Sequence, residues 1–391
     1  MRSLILLSAV AALLLTTVAA RADEADNAAP PAAQVALSAY VEAFYQWNFA
    51  RPGNGITNLR GYDDRHDSIT LSNVVLDAAG RYERVSGRLA LQVGHTPSSY
   101  YLVEPTSPAA GSAGESDAHT WRFLQQANLG WDAPLGRGVL FEAGLFLSPI
   151  GPESIAAKDD WNFSRSNLFF GLPAYHTGAR ATVTVNDAVK VVGAVYNGWN
   201  SVVDNNGFKS ASAQLLFARG PLSLGVLYFG GVERARGAAE GSAWRHLFDA
   251  WAQLDATCRL QLLAHADAGF EVNDLGTSHW LAGALYARFR ALDVLYLAAR
   301  GDFMSETAGA DGPDVAATIF WPATDEDHVA RVASATFTVD LRPSDHLSFR
   351  LELRHDDANV DMFFGHRLDE AAPVPRRRTQ QTLTGAAIAW F

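Results

Sequence analysis

The sequence predicts an all-β protein: a closed, transmembrane antiparallel β-barrel of about sixteen strands with a polar lumen and an inward-folded constriction loop. Three observations carry this reading. Period-two segments recur from residue 38 to the end, their connections alternate between short and long, and the closing segment is an uncharged alternating strand that ends on Phe391. 

The amino-terminal residues read as an export signal. Arg2 supplies a positive start, Leu4 through Ala20 carry no charge, and Ala20-Arg21-Ala22 fits a small-x-small cleavage pattern before the acidic Asp23, Glu24 and Asp26. The expected organisation is a signal peptide over 1–22, a short periplasmic segment over 23–37 and the barrel over 38–391. Beyond the signal there is no apolar run of the ~18 residues that a membrane-spanning helix needs. Mean hydropathy of -0.02 resembles that of a water-soluble protein, as it must when lipid-facing residues alternate with polar ones. Forty-two acids against thirty-one bases leave a charge of -11, which argues against nucleic acid as a partner. Cys258 is the only cysteine, so no intrachain disulfide can form.

The alternation is clearest in four segments. Segment 38–49 places Val41, Ala43, Tyr45 and Trp47 on one face, with Glu42, Phe44, Gln46 and Asn48 on the other. Segment 85–95 alternates Leu89, Leu91 and Val93 with Arg88, Ala90 and Gln92, and 138–148 sets Phe141, Ala143 and Leu145 against Glu142 and Gly144. In 346–354, Leu347, Phe349, Leu351 and Leu353 oppose Ser348, Arg350, Glu352 and Arg354. In lipid the apolar face points outward and the polar face lines water. The remaining strands are expected near 66–78, 120–131, 175–185, 188–197, 208–218, 222–230, 246–256, 259–270, 279–289, 293–301, 330–341 and 381–391, within a range of 14–18 strands. Asn73 and Asp77 fall on the apolar face of 66–78, which predicts a bulge or a different strand boundary there. Short links such as Asn186-Asp187 and Arg219-Gly220-Pro221 interleave with long ones at 96–119, 149–174, 302–329 and 355–380. That rhythm fits short periplasmic turns and long external loops. A terminal Phe also fits the signal read by the barrel-assembly machinery.

Several stretches resemble the OmpL-like family of outer-membrane β-barrel porins. They are Ala39 through Phe49 with Arg51-Pro52, Asn58-Leu59-Arg60, His66-Asp67-Ser68, Ser148 through Glu153, Asn162 through Ser166, His176-Thr177-Gly178 and Asn197-Gly198-Trp199. The resemblance covers about residues 38 to 209 and implies a pore in the outer membrane without assigning a solute. Passive diffusion of small hydrophilic solutes or ions is the expected activity. A channel selective for a sugar or an anion is the alternative, and a barrel hydrolase or an adhesin with a plugged lumen stands behind both.

In general porins the loop equivalent to 149–174 folds back into the barrel and narrows the pore. Here, by that analogy, it carries Glu153, Lys158, Asp159, Asp160, Trp161, Asn162, Arg165 and Asn167, with Gly151, Pro152 and Pro173 setting its bends. Inward positions elsewhere are rich in arginine: Arg88, Arg122, Arg180, Arg288, Arg300, Arg350 and Arg354. Acids on the loop facing basic residues on the wall would set up a transverse field that selects solutes. The plainer reading is that each arginine solvates the lumen or pairs with Glu142, Asp249, Asp267 or Glu352. Lumen faces read as mostly polar or small. The Gly-x-Ser-x-Gly turn of serine hydrolases is absent. The eleven histidines show no paired metal spacing, and the acidic groups at Asp63-Asp64, Asp204, Asp325-Glu326-Asp327 and Asp356-Asp357 lack that of a calcium loop. No cofactor or catalytic group is expected. The expected surroundings are outer-membrane lipid and lipopolysaccharide, and a homotrimer is suggested by analogy with other porins, through the small outward residues Ala43, Gly385, Ala387 and Ala389.

Overall fold

A computed structural model describes residues 33–106, 116–309, 318–321, 324–366 and 374–391. The expected signal peptide lies outside these residues. Sixteen strands form one closed antiparallel sheet in which each strand pairs with its sequence neighbours and the last returns to the first. In the first half these are β1 (Gln34–Asn48), β2 (Ser68–Tyr82), β3 (Val85–Val93), β4 (Leu124–Ala133), β5 (Val139–Leu147), β6 (Tyr175–Thr184), β7 (Val189–Tyr196) and β8 (Ser210–Arg219). The second half comprises β9 (Leu222–Val232), β10 (Trp244–Asp255), β11 (Leu260–Asn273), β12 (Gly276–Leu292), β13 (Leu295–Ala308), β14 (Val329–Ser344), β15 (Leu347–Ala358) and β16 (Thr379–Trp390). Closure runs from Tyr40↔Trp390 to Asn48↔Thr382, and Phe391 extends it by exchanging backbone hydrogen bonds with Ala39. No helix among the described residues is long and apolar enough to cross a membrane.

Alternation sets the two faces. On β15, Phe349, Leu351 and Leu353 are exposed on the outside, while Ser348, Arg350, Glu352 and Arg354 are buried within. The same contrast on most strands gives a continuous apolar outer wall, which only lipid can solvate at this extent.

Where boundaries differ from the sequence reading, lumen-facing polarity is the main reason. Asp302, Met304 and Glu306 prolong the inward face of β13 to Ala308, so polar residues that read as loop belong to the wall. β1 starts at Gln34, inside the expected periplasmic segment. β4 starts only at Leu124, because a helical turn, α2 (Ala118–Trp121), is capped by the Asp117 side chain. (α1, His95–Tyr100, precedes it in the same loop.) The connections alternate short and long as expected, except that the two residues 274–275 join β11 to β12 on the long-loop side.

The bulge in β2 is present. Glu42 pairs with Asn73 and Ala43 with Leu71, so Ser72 is the extra residue. It changes the strand's phase: Ile69 and Leu71 face out before it, Asn73 and Val75 face in after it. 

Gly144 marks a second local constraint. At φ +138°, a Cβ there would lie 2.1 Å from the Ala127 carbonyl oxygen and 2.7 Å from Asn128 Cα on the neighbouring strand. Gly144→Ala is expected to destabilise the barrel by roughly 1–3 kcal/mol or more, measured as a lower urea midpoint of the heat-modifiable protein in detergent.

Candidate pore constriction

The loop 148–174, here called L3, leaves β5 and does not stay at the rim. Gly151 turns it at φ +77°, and α3 (Asn167–Phe170) is capped by the Ser166 hydroxyl and closed by Gly171. Between these points Ile155, Ala156, Ala157, Phe163 and Leu168 are buried. An external loop would expose such residues; here the chain crosses to the opposite inner wall, where Phe163 packs 5.6 Å from Phe44 of β1. Ile150, Leu168 and Leu172 join a core with Tyr196, Leu227, Phe229, Leu247, Trp280 and Met304. This corrects the expectation of a mostly polar or small lumen face. A large apolar patch lines the inside of β7 to β14 and is covered by L3 together with residues of other loops, among them Trp199, Trp321, Met362 and Phe363.

A buried loop carries backbone polar groups that water cannot reach, and each needs a partner. The wall supplies them. Arg300 of β13 donates to the Ser164 and Arg165 carbonyls at 2.5 and 3.1 Å. Arg350 of β15 donates to those of Ala157 and Asn162 at 2.8 and 3.1 Å, and Arg354 to that of Arg165 at 2.5 Å. Conversely, Glu352 accepts the Phe163 and Ser164 amides at 2.6 and 3.0 Å. Asp302 accepts both the backbone and side-chain N–H of Asn167, at 2.8 and 2.7 Å. Charge alternation along one inward face lets a single strand, β15, satisfy both kinds of backbone group. Hydrogen bonds to charged groups contribute about 1.5–3 kcal/mol each.

The candidate residues therefore divide. Arg300 and Arg350 are loop anchors with fully buried side chains. Arg165 staples L3 to itself, donating to the Ser154, Phe163 and Ile155 carbonyls at 2.9, 2.5 and 2.5 Å. Asp160 accepts the Ser154 amide at 2.8 Å and lies 3.3 Å from Arg165. Burial pushes its carboxyl up to about 8, with Arg165 pulling the other way. Glu153 holds Ser166 and lies 3.4 Å from Arg300, making it the loop acid within ion-pair reach of a wall arginine among the described residues. Asp159 pairs with Lys158 at 2.7 Å in a more open position. Arg88, which is exposed, pairs with Asp77 at 2.5 Å, and the partly buried Arg180 pairs with Glu142 at 2.6 Å. Arg288 sits over the Tyr296 ring at 4.3 Å. Arg122 is not on the wall: it follows α2, ahead of β4, and stacks on Phe123 at 4.9 Å. Acids facing arginines across the lumen are thus mostly replaced by arginines bound to loop carbonyls, because an internal loop's backbone competes for the same donors.

Sequence reasoning placed Arg354 and Glu352 on the lumen wall and Asn167 on the loop without giving them an anchoring role, and it left Asp302 in a connection. The available signal was the alternating charge of Arg350, Glu352, Arg354 and Asp356 on one face. It also missed that Asp249, His265 and Asp267 converge, since only the register of β10 on β11 joins them. Above L3 a cavity of about 510 Å³ is lined by Asn58, Arg60, Asn167, Trp199, Arg245 and Trp321, among others.

Glu352→Ala removes the acceptor of two L3 amides and is expected to destabilise the protein by about 2–5 kcal/mol. The corresponding measurement is the urea midpoint, together with limited chymotrypsin digestion: cleavage near Phe163 should appear while the barrel stays heat-modifiable.

Comparison with solved structures shows the same architecture at low sequence identity. OmpT of Vibrio cholerae, in its in-vitro folded trimer form, superposes with a TM-score of 0.58 at 9% identity, covering 92% of this chain and 100% of that one. The anion-selective porin of Comamonas acidovorans gives 0.56 at 11% identity, with 92% and 100% covered. The outer-membrane channel DcaP of Acinetobacter baumannii gives 0.57 at 11%, with 92% and 97% covered. No curated protein sequence matches the chain significantly. The model of one family, described as "Putative beta-barrel porin-2, OmpL-like", matches residues 34–391. With a closed barrel, a lumen loop and this match along its described length, the chain belongs to the OmpL-like β-barrel porin family and is an outer-membrane porin.

Proposed function

We propose that the porin is a passive, loop-constricted channel for small hydrophilic solutes, with a preference for anions. The observation that carries this is L3 held across the inner wall by Arg300, Arg350, Arg354, Glu352 and Asp302. A loop fixed by its own backbone narrows the lumen without closing motions. With those charges committed, selectivity falls to the more open groups: Arg88, Arg180, Arg288, Lys158 and Lys190 against Asp77, Glu142 and Asp159. Arg288 has no carboxylate within ion-pair distance among the described residues, which tips the local balance towards positive charge.

Catalysis finds no support in the Ser–His contacts. Ser99 and Asp64 both meet the same nitrogen of His95, Nε2, at 3.4 and 2.5 Å. A relay needs the acid on the other nitrogen. His176, 3.3 Å from Ser148, is oriented by the Gly198 carbonyl at 3.0 Å. The aromatic and arginine-lined cavity above L3 favours a second reading in which an anion or sugar is retained before passage.

Planar-bilayer recordings under a salt gradient test the proposal. Stable conductance steps with an anion-directed reversal potential are expected, and the Arg88→Ala/Arg180→Ala/Arg288→Ala variant should move the reversal potential towards cations. Silence from well-folded protein would overturn the diffusion reading in favour of a gated or plugged barrel. We also propose a homotrimer, on the analogy of the trimeric form of OmpT; unheated electrophoresis in mild detergent should show a species of three times the monomer mass.

A further inference from the structure

One cluster on the inner wall makes none of the hydrogen bonds that hold L3 and is not among the open pore charges. Asp249 of β10 lies directly opposite Asp267 of β11, so two carboxylates face each other across one strand pair. Like charges so placed are destabilising unless a cation intervenes. His265, two residues before Asp267 on the same face, brings Nε2 to 2.6 Å from Asp249 Oδ2 and 3.3 Å from Asp267 Oδ1. One donor atom from each of the three lies within 4.8 Å of the others. None of the three residues is more than 3% exposed.

The polar accounting at this place does not close. Among the described residues, Asp249 Oδ1, both Asp267 carboxylate oxygens and His265 Nδ1 have no hydrogen-bond partner, Asp267 Oδ1 keeping only its 3.3 Å ion-pair contact with Nε2. Buried carboxylate oxygens in this state are rare, and an ion is one of the few things that resolves them. An imidazolium alone falls short: it brings one positive charge to two carboxylates, and its single Nε2 proton cannot serve three free oxygens. The buried arginines of β10 and β13 are committed elsewhere, Arg245 to Glu271 at 2.9 Å and Arg300 to Asp302 at 2.9 Å.

We propose that Asp249, His265 and Asp267 form a binding site for a divalent transition-metal ion of the Zn²⁺ class. One imidazole nitrogen with two carboxylate oxygens is a mixed donor set that such ions accept, with a remaining position for water. Ca²⁺ takes six or more oxygens and Mg²⁺ a near-octahedral oxygen shell, so both fit less well. A doubly charged ion balances the two carboxylates. Its location gives it structural reach: Gly151, the turn at the root of L3, packs so closely on His265 that a Cβ there would lie 2.9 Å from Cε1. An ion held here links β10 and β11 beneath the first turn of the loop. The site does not depend on the solute that the channel carries.

The test uses the full-length protein folded in detergent and stripped with a chelator. Titration with Co²⁺, followed by its visible absorption, and with Zn²⁺ by calorimetry is expected to show one ion per chain. His265→Gln and Asp267→Asn, each checked for heat-modifiable folding, should weaken uptake by at least about tenfold. Should either variant fail to fold, the wild type loaded with substoichiometric Cu²⁺ still decides the matter, since pulsed electron paramagnetic resonance reports coordinated imidazoles and one is expected. Absence of stoichiometric uptake by the wild type overturns the proposal. So does uptake retained in both folded variants, or a coordination sphere with no imidazole or with several.

Discussion

Every backbone N–H and C=O at membrane depth has to find its partner inside the protein, and both the barrel and the loop within it are consequences of that requirement. Sixteen antiparallel strands meet it by closing the sheet, β16 upon β1. L3 cannot meet it that way, because it is irregular chain drawn into the interior. Charged side chains of β13 and β15 take the place of a neighbouring strand, with arginines for the carbonyls and carboxylates for the amides. The same groups would otherwise have to be solvated by lumen water.

The inner wall is consequently less uniform than a water-filled tube suggests. Towards β7 to β14 it carries an apolar core, with Trp280, Phe229, Leu227 and Met304 covered by Ile150, Leu168 and Leu172 of L3. Hydrophobic packing holds the loop against this side, and charge-assisted hydrogen bonds set its register on β13 and β15. Such a combination gives a loop with one position. The open polar surface that remains lies with the pairs Arg88–Asp77 and Arg180–Glu142 and with Arg288. Small outward changes at these residues alter what the lumen presents to a solute without touching the scaffold.

Much of the fold could be read directly. The strand count, the bulge in β2, the outward face of β15 and the terminal pairing of Phe391 all follow from alternation, which is a local property that lipid enforces residue by residue. Strand ends were harder where polar residues face the lumen. Asp302 and Glu306 look like loop residues in a sequence, yet a wet or hydrogen-bonding interior makes them wall residues. Arg122 went the other way: it continued the period, but Asp117 capped a helical turn before it and shifted the start of β4.

Local chemistry thus determined the class of protein and the approximate position of its strands, while the loop that enters the lumen was expected only by analogy with general porins. Only the tertiary structure decided what the charges do. Glu352 and Phe163 are far apart along the chain, and nothing local says that one accepts the amide of the other. Asp249, His265 and Asp267 meet because β10 and β11 pair in one register and not the next. Alternation tells which face a side chain takes, since that depends on its own strand; its partner depends on register and on the path of a distant loop, which are properties of the closed barrel as a whole.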